Sequence, residues 1–114
     1  LLDLQTGEAR ELEEINSPKA DSYHNWSLNS RWIVFTSRRD DGYYSRLYLA
    51  CIDDQGRFSK PFMLPQRHPA EYYGESLYSF NTPDFTKSKV DFDAYSAGQE
   101  IQSDKRTETK TRPK

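Results

Sequence analysis

The stretch of chain that decides the fold reads Trp26-Ser27-Leu28-Asn29-Ser30-Arg31-Trp32-Ile33-Val34-Phe35-Thr36-Ser37. Its adjacent apolar residues, Ile33 to Phe35, do not alternate with polar ones, and this pattern is typical of a strand that is covered on both faces. We therefore predict strands over residues 23–27 and 31–37, joined by a turn at Leu28-Asn29-Ser30.

The regions on either side of this stretch also favour strands. Residues 46–52 include an uncharged apolar run from Leu47 to Ile52, and Asp53-Asp54-Gln55-Gly56 predicts a turn after it. Residues 57–64 form a further predicted strand, which contains Pro61 and therefore belongs at the sheet edge, because proline cannot donate to a β-ladder. Near the start, Gly7 predicts a tight turn between strands over residues 1–4 and 9–13.

Composition limits both the core and the partners. The chain has 114 residues, of which 34% are hydrophobic and 14% aromatic, so a single thin core must depend on large rings. The 16 basic and 18 acidic residues form no large block of one sign, which does not indicate a nucleic-acid partner. With Cys51 as the only cysteine, neither an intrachain disulfide nor a cysteine metal cage can form. No apolar run approaches the ~20 residues of a membrane span.

The motif resembles the repeat of TolB-like β-propellers, a WD40-like repeat of the PD40 type. That repeat runs Trp-Ser-Pro-Asp-Gly, a basic residue, a variable position, two aliphatic residues, Phe, a variable position and Ser. The motif positions of this sequence are Trp26, Ser27, Trp32, Phe35, Ser37, Gly42 and Tyr48. Arg39 and Leu47 extend the match, and Leu4 to Glu8 resembles the outer hairpin of a preceding blade. The sequence departs from the family at Leu28-Asn29-Ser30, where a wider turn is expected, and by one extra residue in the 38–42 loop.

The resemblance implies an all-β fold built around a four-stranded antiparallel propeller blade. On this interpretation, residues 1–13 are the outer hairpin of a preceding blade and residues 22–65 are the blade itself. Residues 66–97 form an irregular, aromatic-containing extension, and residues 98–114 a disordered polar tail. Because the chain opens on Leu1-Leu2-Asp3-Leu4 and not on Met, we expect upstream sequence that includes the remaining blades and any signal peptide.

Four residues are candidates for ligand binding: His24, Arg39, Tyr72 and Tyr73. His24 precedes Trp26 on the predicted inner strand and could reach a ligand in a propeller channel, although a structural histidine is the more common outcome. Tyr72 and Tyr73 belong to an aromatic group, continued by Tyr78 and Phe80, that could stack on a sugar or peptide or seal the end of the propeller. We predict no catalytic residue, metal ligand or cofactor.

Three other patterns do not predict a functional site. Asp40-Asp41-Gly42 could open a calcium loop, but Tyr43, Tyr44 and Ser45 follow where oxygen ligands should alternate. The loop is predicted to be a turn with its carboxylates in solvent or paired with Arg38 or Arg39. Asn25-Trp26-Ser27 matches the glycosylation sequon but lies on a strand. His68, between Arg67 and Pro69, is expected to be exposed.

The resulting hypothesis is a non-catalytic propeller segment that binds or scaffolds a protein or glycan. The TolB resemblance implies a bacterial periplasmic or cell-envelope location. The alternative is the gating or accessory propeller of a hydrolase such as a prolyl-oligopeptidase-like peptidase, although this chain contains no Gly-x-Ser-x-Gly elbow. A third possibility is that Lys105, Arg106, Lys110 and Arg112 bind an acidic surface, but acidic residues interleave with them.

Overall fold

The four strands of the chain form one antiparallel sheet in sequence order. The computed structural model describes residues 1–91 and 93–103. The elements are β1 (Asp21–Trp26), β2 (Trp32–Ser37), β3 (Arg46–Cys51), β4 (Phe62–Met63), α1 (Pro69–Glu75) and α2 (Ala94–Gln102). The predicted four-stranded antiparallel sheet is confirmed, and its strands carry Trp32, Phe35 and Leu49 as expected.

The edge strand is shorter than predicted. β4 has only Phe62 and Met63, which pair with Leu49 and Tyr48 of β3. Phe58 makes a separate bridge to Ile52, so the predicted strand over residues 57–64 is interrupted before Pro61. The physical reason is the one that placed this strand at the edge: proline cannot continue the ladder.

The core lies on one face of the sheet. Ile33 and Phe35 of β2 stand directly opposite Ala50 and Tyr48 of β3, and the Phe35 and Tyr48 rings stack with centroids 6.0 Å apart. Ile15 and Phe58 complete the buried cluster, with partly buried hydrophobics packed around it. The apolar run of β2 thus supplies the centre of the core.

The two middle strands differ in how well their second face is covered. From Ile33 to Ser37 every residue of β2 is buried, as predicted for a strand covered on both sides. On β3, however, Leu47, Leu49 and Cys51 are only partly buried and alternate with buried neighbours. Within this chain, β2 is therefore covered on both faces, whereas the second face of β3 is only partly overlaid by other segments.

The β1–β2 turn is closed by side-chain hydrogen bonds. Ser30 takes a φ of 55°, a left-handed conformation that costs an L-residue energy. The Ser27 hydroxyl donates to Asn29 Oδ1 at 2.7 Å and accepts from the Trp32 amide at 3.0 Å. These contacts close the turn through the side chains of its own residues.

The N-terminal hairpin is present in minimal form. Leu2 and Ala9 form a single antiparallel bridge, and Gly7 adopts a φ of 73° in the turn, as expected. Arg10 Nη2 donates to the Gly56 carbonyl, which ties the hairpin to the β3–β4 turn. Leu12, just beyond the hairpin, packs against the core, so this segment covers one sheet face.

The C-terminal extension contains two short helices where an irregular segment was predicted. Neither α1 nor α2 has a buried residue, which explains why neither shows as an apolar periodic pattern. α2 runs across the predicted boundary at Gly98, and Asp93 caps it by accepting from the Tyr95 and Ser96 amides. The part of the predicted disordered tail from 104 to 114 lies outside the described residues. No helix in the described part of the chain is long and apolar enough to cross a membrane.

Candidate functional site

Of the four ligand residues predicted from the sequence, two line clefts, and these clefts are different ones. His24 lines a cleft on the core face of the sheet, whereas Tyr72 lines a second cleft along α1. Arg39 and Tyr73 lie in neither lining and instead make internal contacts. The structure therefore does not bring the four residues together into one site.

The cleft on the sheet face lies between β1 and the N-terminal segment. It has a volume of about 440 Å³, and its lining includes His24, Trp26 and Asp21 together with core residues such as Ile33 and Phe35. A β-bulge between Ser22 and Asn25 alters the register of β1 next to His24. His24 and Trp26 thus line one cleft of this chain, and their place beside a propeller channel stays a prediction.

Arg39 is held on the core by contacts that leave it little freedom to bind a ligand. Its guanidinium lies over the Phe35 and Tyr48 rings, 5.2 and 4.9 Å from their centroids. It also donates to the Ile15 carbonyl at 2.6 Å and to an Asp21 carboxylate oxygen at 3.0 Å. Both side chains of the Arg39–Asp21 pair are 19% exposed. The contacts assign Arg39 a structural role, and its function as a ligand residue stays a prediction.

The Asp21 carboxylate has an altered acidity in this cluster. Partial burial opposes its ionisation, but hydrogen bonds from Ser37, Ser17 and Arg39 outweigh that effect and hold the pKa of Asp21 below its usual range. The charged form is therefore the one that the fold stabilises, and it joins β1 to the segment after β2.

The second cleft follows the outward side of α1. It measures about 670 Å³ and is lined by Gln66, Arg67, His68, Glu71, Tyr72, Glu75, Ser76 and Tyr78. His68, Glu71, Tyr72 and Glu75 follow the i, i+3, i+4, i+7 spacing that puts side chains on one helix face. As expected, His68 is exposed. It precedes the helix without making a side-chain capping bond, so its imidazole is not used as a cap.

A buried arginine holds one wall of this cleft. Arg46 is 2% exposed and donates to the carbonyls of Tyr73, Ser76 and Tyr78 at 3.0–3.2 Å. Its guanidinium also lies over the Tyr44 and Tyr73 rings, 5.2 and 5.5 Å from their centroids. No carboxylate of the described residues forms an ion pair with it, so carbonyl oxygens and ring faces compensate its charge.

The sequence did not predict that Arg46 would support this cleft. It stands at the first position of β3, and nothing in a lone arginine before an apolar run indicates burial. The only available signal is the group of rings that follows in residues 72–80, since aromatic faces and carbonyl-rich helix ends are what a buried guanidinium requires.

Tyr73 belongs to the interior side of the same helix. Its hydroxyl donates to the Leu64 carbonyl, and its ring meets the Tyr72 ring edge-on at 5.0 Å. Of the two predicted aromatic ligand residues, only Tyr72 therefore faces the cleft, while Tyr73 packs between Arg46 and the end of β4.

The Asp40-Asp41-Gly42 loop and the Asn25-Trp26-Ser27 sequon both make local hydrogen bonds. The Asp41 carboxylate accepts from the Tyr43 and Tyr44 amides, and these backbone hydrogen bonds, that of Tyr44 foremost, lower its pKa. The Asn25 side-chain amide donates to the Pro83 carbonyl at 2.6 Å, so the amide that would accept a glycan is already engaged. No protein-family model, curated protein or solved structure matches this chain.

Proposed function

We propose that this chain is a non-catalytic binding and scaffolding module whose sheet serves as a blade of a TolB-like propeller. In this proposal the sheet packs between neighbouring blades, and the α1 cleft and adjoining loops recognise a protein or glycan in the periplasm or cell envelope. The location and the blade assignment both come from the sequence motif around Trp26 and Trp32.

The observation that supports the proposal most is the placement of the two tryptophans. Trp26 of β1 pairs with Ile33 of β2 on the core face. Trp32 directly precedes Ile33 in β2, so its side chain lies on the opposite face of the sheet. Each tryptophan residue is 37% exposed, although its ring also contacts a phenylalanine, Phe58 for Trp26 and Phe62 for Trp32. A sheet with a large, incompletely covered ring on both faces is suited to packing against a sheet on either side.

Sedimentation velocity of the chain from micromolar to millimolar concentration tests this use of the two faces. We expect reversible self-association, because exposed apolar faces seek cover in the absence of neighbouring blades. Trp26→Gln and Trp32→Gln should each weaken the association, whereas Tyr43→Gln, at a ring 79% exposed in a loop, should not. A chain that stays monomeric throughout, or a Tyr43 variant that weakens association as much, would contradict the proposal.

A further inference from the structure

We infer that the α1 cleft is a binding site for a neutral oligosaccharide. This inference rests on the proposed binding function and names the ligand class for one of its surfaces. The cleft-lining residues that carry the argument are Arg67, His68, Glu71, Tyr72, Glu75 and Tyr78.

Two tyrosine rings supply faces on which a sugar can stack. Tyr72 is 41% exposed and Tyr78 is 79% exposed, and both line the cleft. The faces of aromatic rings carry partial negative charge, so they attract the partly positive C–H groups on one side of a pyranose ring. The edge-on contact with Tyr73 restricts the Tyr72 ring on one side, which lowers the cost of ordering this ring when a ligand binds.

The polar groups around the rings match hydroxyls better than they match a charge. Glu71 and Glu75 offer acceptors on one helix face, while Arg67 and Gln66 offer donors beside it. A polyol presents donors and acceptors together and can use both sets. A basic peptide would use the two carboxylates but would be repelled by Arg67, and an acidic ligand would meet the opposite conflict.

The cleft wall is anchored to the sheet and does not depend on the helix alone. Arg46 donates to the carbonyls of Tyr73, Ser76 and Tyr78, and the last two of these residues line the cleft. The Phe80 amide donates to the Ser45 carbonyl at 2.9 Å, and the Ser45 amide donates to Ser79 Oγ at 3.2 Å. A seven-residue helix would not hold a binding geometry by itself, and these bonds supply the missing rigidity.

The test is titration of the ¹⁵N-labelled chain with triacetylchitotriose, cellotriose and maltotriose, followed by amide chemical shifts and by calorimetry. We expect at least one trisaccharide to shift amides of residues 66–78 selectively. Tyr72→Ala should weaken that binding by about tenfold, because the stacking face is lost. The matched control is Tyr43→Ala, which removes an exposed tyrosine ring that does not line the cleft and should leave the affinity unchanged.

Tyr78→Ala provides a second variant that does not disturb the Tyr72–Tyr73 contact and should also weaken binding. The inference is overturned if none of the trisaccharides shifts residues 66–78, or if Tyr72→Ala and Tyr43→Ala behave alike. It is also overturned if a lysine-rich peptide binds the cleft in place of sugars with an affinity that falls with added salt. Those outcomes leave the sedimentation result intact, so failure of the sugar site and failure of the blade proposal are distinguishable.

Discussion

The sheet and the α1 segment are held in place by different forces. Around Phe35, apolar rings and aliphatic side chains exclude water on one face of β2 and β3. The α1 segment, residues 66–80, has no such core, because α1 itself contributes no buried residue. It is held by the buried Arg46 guanidinium, which donates to three of its carbonyls. The sheet is thus stabilised mainly by burial of apolar area, whereas the α1 segment is positioned by directional polar bonds.

Because of this difference, the two regions should lose their structure in different ways. Apolar packing is shared by many atoms, so damage to it is felt over the whole sheet. A set of hydrogen bonds centred on one guanidinium is local, and its loss should release one segment while the rest stays folded. Substitutions in the two regions should therefore differ in how far their effects spread.

Phe35→Ala should destabilise the whole chain by about 3–5 kcal/mol, because it removes a ring from the centre of the core and leaves a cavity. Urea unfolding followed by circular dichroism measures the loss, and Tyr43→Ala is the exposed control. A Phe35 variant that loses no more stability than this control would show that the sheet does not depend on the core face.

Arg46→Met should lower the stability of the α1 segment by about 2–3 kcal/mol, since three carbonyls lose their buried donor. Hydrogen exchange should show lost protection at residues 72–80 with the central sheet amides retained. Arg46→Lys keeps the charge but not the forked geometry of the guanidinium, so its protection at residues 72–80 should lie between that of the native chain and that of Arg46→Met. If amide protection is lost equally across the sheet, the two regions unfold together and the proposed distinction between them is wrong.

Asp21→Asn should lower the free energy of unfolding at neutral pH, because it removes the charge that pairs with Arg39. The expected loss is only about 1 kcal/mol, since both side chains of the pair are partly exposed and solvent weakens their attraction. The pKa of Asp21 is lowered in the folded chain, so its carboxylate stabilises the fold above the unfolded pKa of about 3.9, and that contribution is lost as the pH falls through the folded value. The variant should therefore show a shallower loss of stability on acidification than the native chain. Equal slopes in acid titrations followed by fluorescence would contradict the assignment.

Ser30→Gly should raise stability by about 0.5–1 kcal/mol, because glycine adopts the left-handed conformation of this turn without strain. Thermal unfolding measures the gain, and Ser30→Ala, which keeps the strain, should give none. If both variants unfold at the native temperature, the turn stores no strain that affects the sheet.

The main strands could be predicted because their residues carry the necessary pattern locally. Ile33 to Phe35 and Leu47 to Cys51 are apolar runs bounded by turn residues, and the tight turns at Gly7 and Gly56 require only a residue that tolerates positive φ. Pro61 correctly predicts an edge strand, but β4 is short because it begins only after this proline, which separates it from the bridge at Phe58.

The candidate site could be predicted only in part. Tyr72 was expected to meet a ligand and lines a cleft, but the helix that carries it has no apolar face to reveal it. Tyr73, its neighbour, turns inward because Arg46 and the Leu64 carbonyl lie on that side. These orientations depend on partners 9 and 27 residues away in sequence, which no local pattern reports.

The amino-acid order alone determined that this protein would form a four-stranded antiparallel sheet with its core on β2 and β3, because hydrophobic periodicity and turn residues act over short distances. Only the tertiary structure decided that Arg39 would cover the core, that Arg46 would be buried, and that α1 would present a cleft. The reason is physical: an arginine is stable inside a protein only when distant carbonyls, carboxylates or rings converge on it, and that convergence exists only after the chain has folded.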